Sequence, residues 1–410
     1  MRKKIGLFLS AERAAGGSFQ YNQSMLESLS SLPDDRFEKV ICYIDSVWIP
    51  HIRECRIPSL QIHTGFWKLF ATKRVSGYLP IPWWRKHSPH FCPISSALLD
   101  QRCHLWIFPS QDTWTYLLPV PSLGTIYDLM HKYERRFPEV SAYGLFRTRE
   151  KHYANLCRWA NGILVDSRIG KEQVTESYAL EASRIHVLPF VVPRHISSNR
   201  KSHHFSRCYS LPEKFFFYPA QFWEHKNHKI LIKAMASLIC EIPDMHLVFV
   251  GSKKNGYEST HELVEKLQLL DHVHFLGYVS DSDISEFYRR ARALIMPTFF
   301  GPTNIPPLEA MTVGCPVAVS RIYGMPEQLG DAAVYFDPSS KMEVMQVMKA
   351  LWKDDDLCRE LSRRGLSRSV QWTQSHFNIR FQEIIEGILN QIGNNDGHEN
   401  PSASTGNHEA

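Results

Sequence analysis

Two segments in the second half of the chain combine residue types that can bind an anionic ligand. The first, residues 218–228, reads Tyr-Pro-Ala-Gln-Phe-Trp-Glu-His-Lys-Asn-His and follows the apolar residues 215–217. Its lysine, Lys226, places an ammonium in a loop, where such a cation can neutralise a phosphate or a diphosphate leaving group. An isolated loop lysine is usually a solvated surface residue. The crowding of aromatic, His and Asn side chains around Lys226 is what favours a ligand.

The second segment, residues 297–317, is a Gly- and Pro-rich loop that leads from an apolar run into a predicted helix. Backbone N–H groups of Thr303, Asn304 and Ile305 would lie at the N-terminus of that helix, where an anion can be bound. Glu309 falls about one turn further on. Its carboxylate can accept hydrogen bonds from ribose or sugar hydroxyls, or it can simply compensate the helix dipole.

A third candidate lies in the first half of the chain. Gly16 and Gly17 stand between the apolar residues 5–9, which predict a strand, and a helical pattern that begins near Tyr21. Glycines there let the backbone approach a ligand closely, and the helix N-terminus can hold a phosphate. The pair does not match the Gly-x-Gly-x-x-Gly dinucleotide fingerprint. A tight turn without a ligand explains it equally well.

The elements that would position these segments follow from the pattern of the whole chain. Short apolar runs alternate with amphipathic helical patterns, and the plan restarts near residue 213, which is typical of parallel sheets covered by helices. We predict an α/β protein with two Rossmann-like, doubly wound domains facing across a ligand-binding cleft. The predicted units are a first domain at 1–195, a linker at 196–212, a second domain at 213–374, a terminal helix at 375–392 packing back toward the first domain, and a disordered tail at 393–410.

Residues 218–228 and 297–317 together resemble glycosyltransferase family 4, the retaining enzymes with the GT-B fold, and within it bacterial O-antigen-type mannosyltransferases. The resemblance is strongest over residues 210–340, where it includes Leu-Val-Phe-Val-Gly-Ser at 247–252 and Val-His-Phe-Leu-Gly-Tyr at 273–278. It implies transfer of a hexose, mannose by subgroup, from a sugar nucleotide such as GDP-mannose. The implied acceptor is a lipid-linked saccharide or polysaccharide in lipopolysaccharide or other cell-surface glycan synthesis.

The resemblance also implies roles for single residues. Lys226 would bind the diphosphate of the sugar donor, and Glu309 would contact the nucleotide ribose. Asp128 and His131 would face the transferred sugar from the first domain. Gly251, Ser252, Gly277 and Tyr278 would line the pocket for the base and the ribose. The candidate catalytic residues are therefore Asp128, His131, Lys226 and Glu309. The candidate donor-binding residues are Gly16, Gly17, Gln221, Lys226, Gly251, Ser252, Gly277, Tyr278, Thr303, Asn304, Ile305 and Glu309. The leaving phosphate itself would deprotonate the acceptor on the same face of the sugar, which gives retention.

The sequence departs from the family pattern at three positions. The first of two paired glutamates would fall at 301, which is Gly301, and the arginine that commonly precedes the lysine falls at Gln221. The histidine often found before the aspartate falls at Tyr127. The group that replaces the glutamate is left open. The segment 301–304 would act through backbone amides, with His131 or Asp128 contacting the sugar.

The first 200 residues are basic, with 26 Lys and Arg against 17 Asp and Glu, whereas the remainder has a net charge of −4. Lys and Arg alternate with aromatic residues over 63–86. This mixture suits peripheral contact with an anionic membrane and a lipid-diphosphate acceptor, and it suits a solvated basic loop with buried aromatics equally well. No nucleic-acid motif accompanies the charge, so nucleic acid is not a predicted partner. The oligomeric state is not predicted.

The location and cofactor predictions rest on composition. The nine cysteines include no Cys-x-x-Cys pair, which favours reduced thiols in a cytoplasmic protein. The basic and aromatic segment 63–86 adds a peripheral location on the inner face of the plasma membrane. The apolar residues 5–9 are too short for a signal peptide, and no run of 18 apolar residues predicts a membrane span. No motif requires a metal, and no cofactor is predicted beside the sugar nucleotide as substrate.

Two other functions fit the same sequence. The first is a sugar-nucleotide epimerase or hydrolase with the GT-B fold, which would need catalytic carboxylates in the cleft and no acceptor site. The second is a non-catalytic sugar-nucleotide-binding protein, which the glycine at position 301 would allow. Release of free nucleotide from the sugar donor alone would favour the former, and binding without turnover the latter.

Overall fold

The computed structural model describes residues 2–13, 16–63, 79–197 and 205–398. Its first lobe contains a parallel seven-stranded sheet with the order β3-β2-β1-β4-β5-β6-β7. The strands are β1 (Lys3–Leu9), β2 (Phe37–Tyr43), β3 (Ser59–Gln61), β4 (Leu105–Phe108), β5 (Ser122–Thr125), β6 (Gly162–Val165) and β7 (Ile185–Val187). The order reverses between β1 and β4, so the ligand crevice lies beyond the carboxyl ends of those two strands.

The second lobe repeats the plan with a parallel six-stranded sheet in the order β10-β9-β8-β11-β12-β13. Its strands are β8 (Phe216–Pro219), β9 (Leu247–Val250), β10 (Val273–Phe275), β11 (Ala293–Met296), β12 (Val317–Ser320) and β13 (Val334–Phe336). Here the order reverses between β8 and β11, the strands that precede the two anion-binding segments. The predicted fold class, two doubly wound α/β domains, is confirmed.

Helices cover both sheets. Those of the first lobe are α1 (Gly17–Ser31), α2 (Ile49–Cys55), α3 (Ile81–His87), α4 (Pro93–Asp100), α5 (Trp114–Leu117), α6 (Met130–Tyr133), α7 (Pro138–Ser141), α8 (Leu145–Trp159) and α9 (Arg168–Tyr178). Two short helices follow, α10 (Arg194–Ser197) and α11 (Phe205–Cys208). Those after them are α12 (His228–Leu238), α13 (Tyr257–Lys266), α14 (Asp281–Arg290), α15 (Ile305–Thr312), α16 (Met325–Leu329), α17 (Lys341–Lys353), α18 (Asp355–Ser369) and α19 (Gln374–His398).

The central strands are apolar along most of their length because helices shield them on both sides. All four residues of β4 are fully buried, as are Phe216 and Phe217 of β8. Each lobe therefore has its own core, and the strand ends that carry polar residues are held by rigid sheets.

The segments between and after the lobes differ from the prediction in two places. The predicted linker includes the end of α10 and all of α11, and Phe205 of α11 is buried against Phe287 with ring centroids 4.7 Å apart. The terminal helix packs Phe377 and Phe381 into the core of the first lobe, but it extends to His398 rather than 392. A helix whose first turns are packed against a core gains one hydrogen bond for each residue that it adds. Helix α19 therefore continues into the Gly- and Asn-rich segment. The rest of the predicted tail, 399–410, lies outside the described residues.

The two lobes touch directly beside the cleft. Phe137 of the first lobe packs against Phe299 and Phe300 of the second, with both pairs of ring centroids 5.3 Å apart. The contact closes one side of the space between the two sheets. Within the described ranges, no helix is both long enough and apolar enough to cross a membrane.

Candidate active site

A cavity of about 1000 Å³ lies between the lobes, beyond the carboxyl ends of both sheets. Eleven of the fourteen predicted site residues line it, namely Gly16, Gly17, Gln221, Lys226, Gly251, Ser252, Tyr278, Thr303, Asn304, Ile305 and Glu309. Asp128, His131 and Gly277 are not among the lining residues. Segments separated by almost 300 residues thus line one cleft, which is large enough for a sugar nucleotide.

Lys226 reaches this cavity from a short 3-10 turn, Glu224–Lys226, that follows β8. The loop is anchored from several sides. The Tyr218 hydroxyl donates to the Lys226 carbonyl at 3.0 Å, and the Asn227 amide donates to the carbonyls of Pro297 and Pro338 at 3.2 and 2.8 Å. Asn227 itself has a φ of 59°, a left-handed conformation that Asn adopts more readily than most residues. The turn therefore holds Lys226 in a fixed place.

The ammonium of Lys226 faces the cavity without a hydrogen bond or ion pair to any residue that the structure describes. Burial lowers its pKa to about 8, and the negative charge of Asp128 opposes this effect only in part. An anion in the cavity would stabilise the charged form of the lysine. This arrangement is suited to a phosphate or diphosphate.

Glu309 is buried on α15 at the far side of the cavity. Its Oε2 accepts a 2.7 Å hydrogen bond from the hydroxyl of Tyr288, and its Oε1 lies 3.5 Å from Nε2 of Gln20 in the first lobe. Burial and the adjacent carboxylate both raise the pKa of Tyr288, which keeps the hydroxyl protonated as a donor. Neither Tyr288 nor Gln20 stood out in the sequence, because both contacts depend on the tertiary fold.

The loop before α15 differs from the predicted anion cradle. The N–H of Thr303 already donates to Oδ2 of Asp166 at 3.0 Å, and the N–H of Asn304 donates to Oε1 of Gln328 at 3.1 Å. The next two residues after Ile305 are prolines, which have no N–H. The expectation of three free N–H groups is therefore wrong for two of them, although all three residues line the cavity.

Gly301 occupies the position of the missing family glutamate with a φ of 91°. A Cβ at this position would lie 2.8 Å from the Thr303 carbonyl oxygen and 2.9 Å from Nδ2 of Asn304. The backbone conformation and the lack of space both require glycine. No side chain from position 301 can therefore reach the cavity without a rearrangement of the loop.

The end of β9 forms another wall of the cavity. A Cβ on Gly251 would lie 2.2 Å from the Ala220 carbonyl oxygen, so a glycine is needed where these two strand ends meet. Next to it, the buried Oγ of Ser252 has no partner among the described residues and is available to a ligand. Tyr278 is largely exposed at the rim, whereas Gly277 uses its carbonyl to accept from the Gly251 N–H at 2.8 Å.

Asp128 and His131 lie behind the cavity wall in a polar network of the first lobe. Asp128 accepts a 3.0 Å bond from the guanidinium of Arg149. His131 is completely buried, its Nε2 lies 3.1 Å from a carboxylate oxygen of Glu150, and burial lowers its pKa. This geometry does not bring His131 to the cavity, because the pairing with Glu150 turns it into the lobe.

Two further positions complete the site. Gln221, which stands where an arginine is common, accepts a 2.9 Å bond from the Trp223 indole N–H. A Cβ on Gly17 would lie 3.5 Å from Cδ1 of Ile305, so the two lobes approach each other closely there. Among the described residues, no group of three or more His, Cys, Asp or Glu side chains has a geometry that could hold a metal ion.

A comparison with known families finds a match to the second lobe. Residues 200–368 match the family described as "Glycosyl transferases group 1". This range contains Lys226, Ser252 and Glu309, three of the side chains that meet at the cavity.

Curated relatives align with part of the chain. O-antigen chain mannosyltransferase B of Escherichia coli is 32% identical over 152 residues, which are 36% of this chain and 39% of that protein. Serotype-specific mannosyltransferase WbdA of Escherichia coli is 27% identical over 168 residues, covering 40% and 21%. The chain thus aligns with well under half the length of these relatives.

Solved structures match over nearly the whole chain. HepE from Anabaena, solved in complex with UDP and glucose, superposes with a TM-score of 0.69 and 15% identity, covering 94% of this chain and 100% of that one. At this identity the likeness concerns the fold. It agrees with the GT-B architecture predicted from the sequence.

Proposed function

We propose that this protein transfers a hexose from a sugar nucleotide to a saccharide or lipid-linked acceptor with retention of anomeric configuration. The match of residues 200–368 to the group 1 glycosyl transferases supports this proposal. The proposed sugar is mannose and the proposed sugar donor GDP-mannose, since the two curated relatives described above are named mannosyltransferases. The proposed pathway is the synthesis of an O-antigen or another cell-surface glycan.

The single observation that carries this proposal is the ammonium of Lys226, which has no hydrogen bond or ion pair to the residues that the structure describes. It is held by a rigid turn, is partly desolvated, and faces a cavity of about 1000 Å³ between the lobes. Breaking the bond between sugar and phosphate places negative charge on the leaving diphosphate. A preorganised cation stabilises that charge most in the transition state.

The nucleoside would bind along the second lobe. The Oγ of Ser252 and the carboxylate of Glu309 can bond ribose hydroxyls, and Val279 and Ile284 offer apolar surface to a base. Tyr288 keeps the Glu309 carboxylate in one orientation. The proposed mechanism uses Lys226 as the cation opposite the diphosphate, and the leaving phosphate accepts the proton of the acceptor hydroxyl.

The acceptor would enter from the first lobe, and we place this lobe on the inner face of the plasma membrane. Trp83 and Phe91 are 45% and 52% exposed with ring centroids 6.4 Å apart, and Arg85, Lys86 and His87 occupy the last turn of α3. Exposed aromatics beside cations suit the interface of an anionic bilayer. The remainder of the segment, 64–78, lies outside the described residues.

Sedimentation with vesicles tests the membrane contact. The double variant Trp83→Ala and Phe91→Ala should lose binding to phosphatidylglycerol vesicles, while neutral phosphatidylcholine vesicles retain little of either protein. Leu270→Ala, at an apolar residue of the second lobe that is 56% exposed, is the matched control. Equal binding by the double variant and the control would overturn the contact.

Transfer assays test the enzymatic proposal. Lys226→Met should lower transfer from GDP-mannose by at least a hundredfold while thermal unfolding stays near that of the wild type. Lys229→Met is the control, because Lys229 pairs with Glu224 at 2.8 Å and does not line the cavity. Wild-type rates in Lys226→Met would refute the site.

Gly301 also gives a specific reason to test a non-catalytic binding protein. A binding protein would take up GDP-mannose without releasing GDP, whatever acceptor is supplied. A hydrolase or epimerase would consume GDP-mannose with no acceptor present. Transfer that depends on an acceptor separates the proposed function from both.

A further inference from the structure

Two carboxylates of the first lobe each hold one residue of the second lobe through its backbone and its side chain together. Oε1 of Glu139, on α7, accepts from the His225 backbone N–H at 2.9 Å and from its Nδ1 at 2.6 Å. Oδ2 of Asp166, just after β6, accepts from the Thr303 backbone N–H at 3.0 Å and from the Thr303 hydroxyl. The same arrangement thus occurs twice across the cleft.

The residues held in this way belong to the two segments that form the donor side of the cavity. His225 directly precedes Lys226, and Thr303 stands between Gly301 and Ile305. The His225 ring also stacks on Phe300, with centroids 3.8 Å and planes 11° apart, and its carbonyl accepts from the Phe299 N–H at 2.9 Å. Glu139 therefore fixes one segment directly and contacts the other through the His225 ring.

The charges of these groups suit a fixed anchor. The side chain of Glu139 is only 8% exposed. Burial opposes its ionisation, but the hydrogen bonds from His225 and Asn255 outweigh burial and lower the pKa of Glu139 to about 2. Burial lowers the pKa of His225 to about 4, so its imidazole is neutral near pH 7. The ring therefore orients the Lys226 turn without adding a second positive charge.

We propose that Glu139 and Asp166 are positioning residues that couple closure of the two lobes to the arrangement of Lys226 and the segment before α15. When the lobes separate, both segments lose the carboxylates that hold them. The ammonium then no longer lies where charge develops on the leaving diphosphate. The kinetic test of this inference rests on the proposed glycosyl transfer. The positioning of the two segments by Glu139 and Asp166 does not depend on it.

Glu139→Gln tests the inference against a matched control. Glu134 also bridges the lobes, accepting a 3.0 Å hydrogen bond from the Tyr323 hydroxyl, but it contacts neither segment. We expect Glu139→Gln to lower kcat at least tenfold with the KM for GDP-mannose changed less than threefold, because a misplaced cation affects the transition state most. Glu134→Gln should stay within twofold of the wild type. Equal losses in both variants would overturn the inference, since they would indicate only weaker lobe contact.

Lysine labelling provides a readout that needs no activity. Reductive methylation, followed by peptide mass spectrometry, should modify Lys226 several-fold faster in Glu139→Gln than in the wild type or in Glu134→Gln. Lys229 should react at the same rate in all three proteins. Unchanged labelling of Lys226 in Glu139→Gln would overturn the inference.

The two proposals can fail separately. If the wild-type protein transfers no sugar, the proposed function fails, and labelling alone decides whether Glu139 positions Lys226. If Glu139→Gln does not fold, as judged by thermal unfolding, Asp166→Asn takes its place. A lower kcat with an unchanged KM in Asp166→Asn would support the coupling between lobe closure and the two segments. A kcat equal to that of the wild type would overturn it.

Discussion

The affinity for the sugar donor should depend on pH mainly through one group of the protein, the ammonium of Lys226. Burial lowers its pKa from the ordinary 10.5 to about 8 in the free protein. A diphosphate beside it favours the charged form and returns the pKa toward the ordinary value. Because Lys226 is charged below about pH 8 and neutral above it, binding of the sugar nucleotide weakens as the pH rises through 8.

The size of the effect follows from the two pKa values. A change from about 8 to about 10.5 on binding makes the association constant fall about tenfold between pH 7 and pH 9. The same change takes up about half a proton per molecule bound at pH 8. Isothermal titration of GDP-mannose in buffers of different ionisation enthalpy measures both quantities at once.

Lys226→Met is the control for this titration. This variant should bind GDP-mannose more weakly at pH 7 and take up no proton on binding. Its affinity should change little between pH 7 and pH 9, and the ionisation of the guanine base should account for the change that remains. A wild-type affinity that stays constant from pH 7 to pH 9 would refute the assignment. An equal slope in Lys226→Met would refute it as well, because another group would then be responsible.

Three further predictions concern the supports of the site. Gly301→Glu restores the family glutamate in sequence, but the φ of 91° and the 2.8 Å approach to the Thr303 carbonyl should lower the unfolding temperature without raising transfer. Tyr288→Phe removes a hydrogen bond to the buried Glu309, which should cost about 1–3 kcal/mol in denaturant unfolding and weaken donor binding in calorimetry. Burial raises the pKa of Asp166 to about 6. Its favourable contribution to the free energy of unfolding is therefore complete below about pH 3.8 and is lost as the pH rises through 6. Thermal unfolding of the wild type should therefore lose up to about 3 kcal/mol relative to Asp166→Asn between pH 4 and pH 7, and parallel profiles would contradict this.

Much of the architecture could be predicted because the local pattern determines it. The buried strands β1, β4 and β8 are apolar along nearly their whole length, and each is followed by polar or Gly-rich residues. The edge strands β3 and β7 have only three residues each, which is too short for an apolar pattern to predict a strand. Helix α8 could not be predicted in this way, because most of its residues are polar and only one narrow side is buried.

The candidate site could be predicted only where a segment carries its own signal. Lys226 and Glu309 stand in segments whose composition is unusual, and both line the cavity. Glu139 and Asp166 act on residues 86 and 137 positions away, which no local pattern reveals. Asp166 did offer one signal, since it follows a buried strand, and carboxyl ends of such strands line the cleft.

His131 shows the limit of transferring a role by position. The residue stands near the family's position, but it is completely buried, it contacts Glu150, and it is not among the residues that line the cavity. Gly301 is a second example of this limit. There the backbone excludes the glutamate that the family pattern would supply.

The most direct test of the account is one transfer reaction. The purified full chain is incubated with GDP-mannose and a polyprenyl-diphosphate-linked saccharide, and the acceptor is weighed by mass spectrometry. The proposed function predicts an acceptor heavier by one hexose, joined with retained anomeric configuration, and no such product with Lys226→Met. An unmodified acceptor with GDP-mannose intact, or release of free mannose in place of transfer, would contradict it.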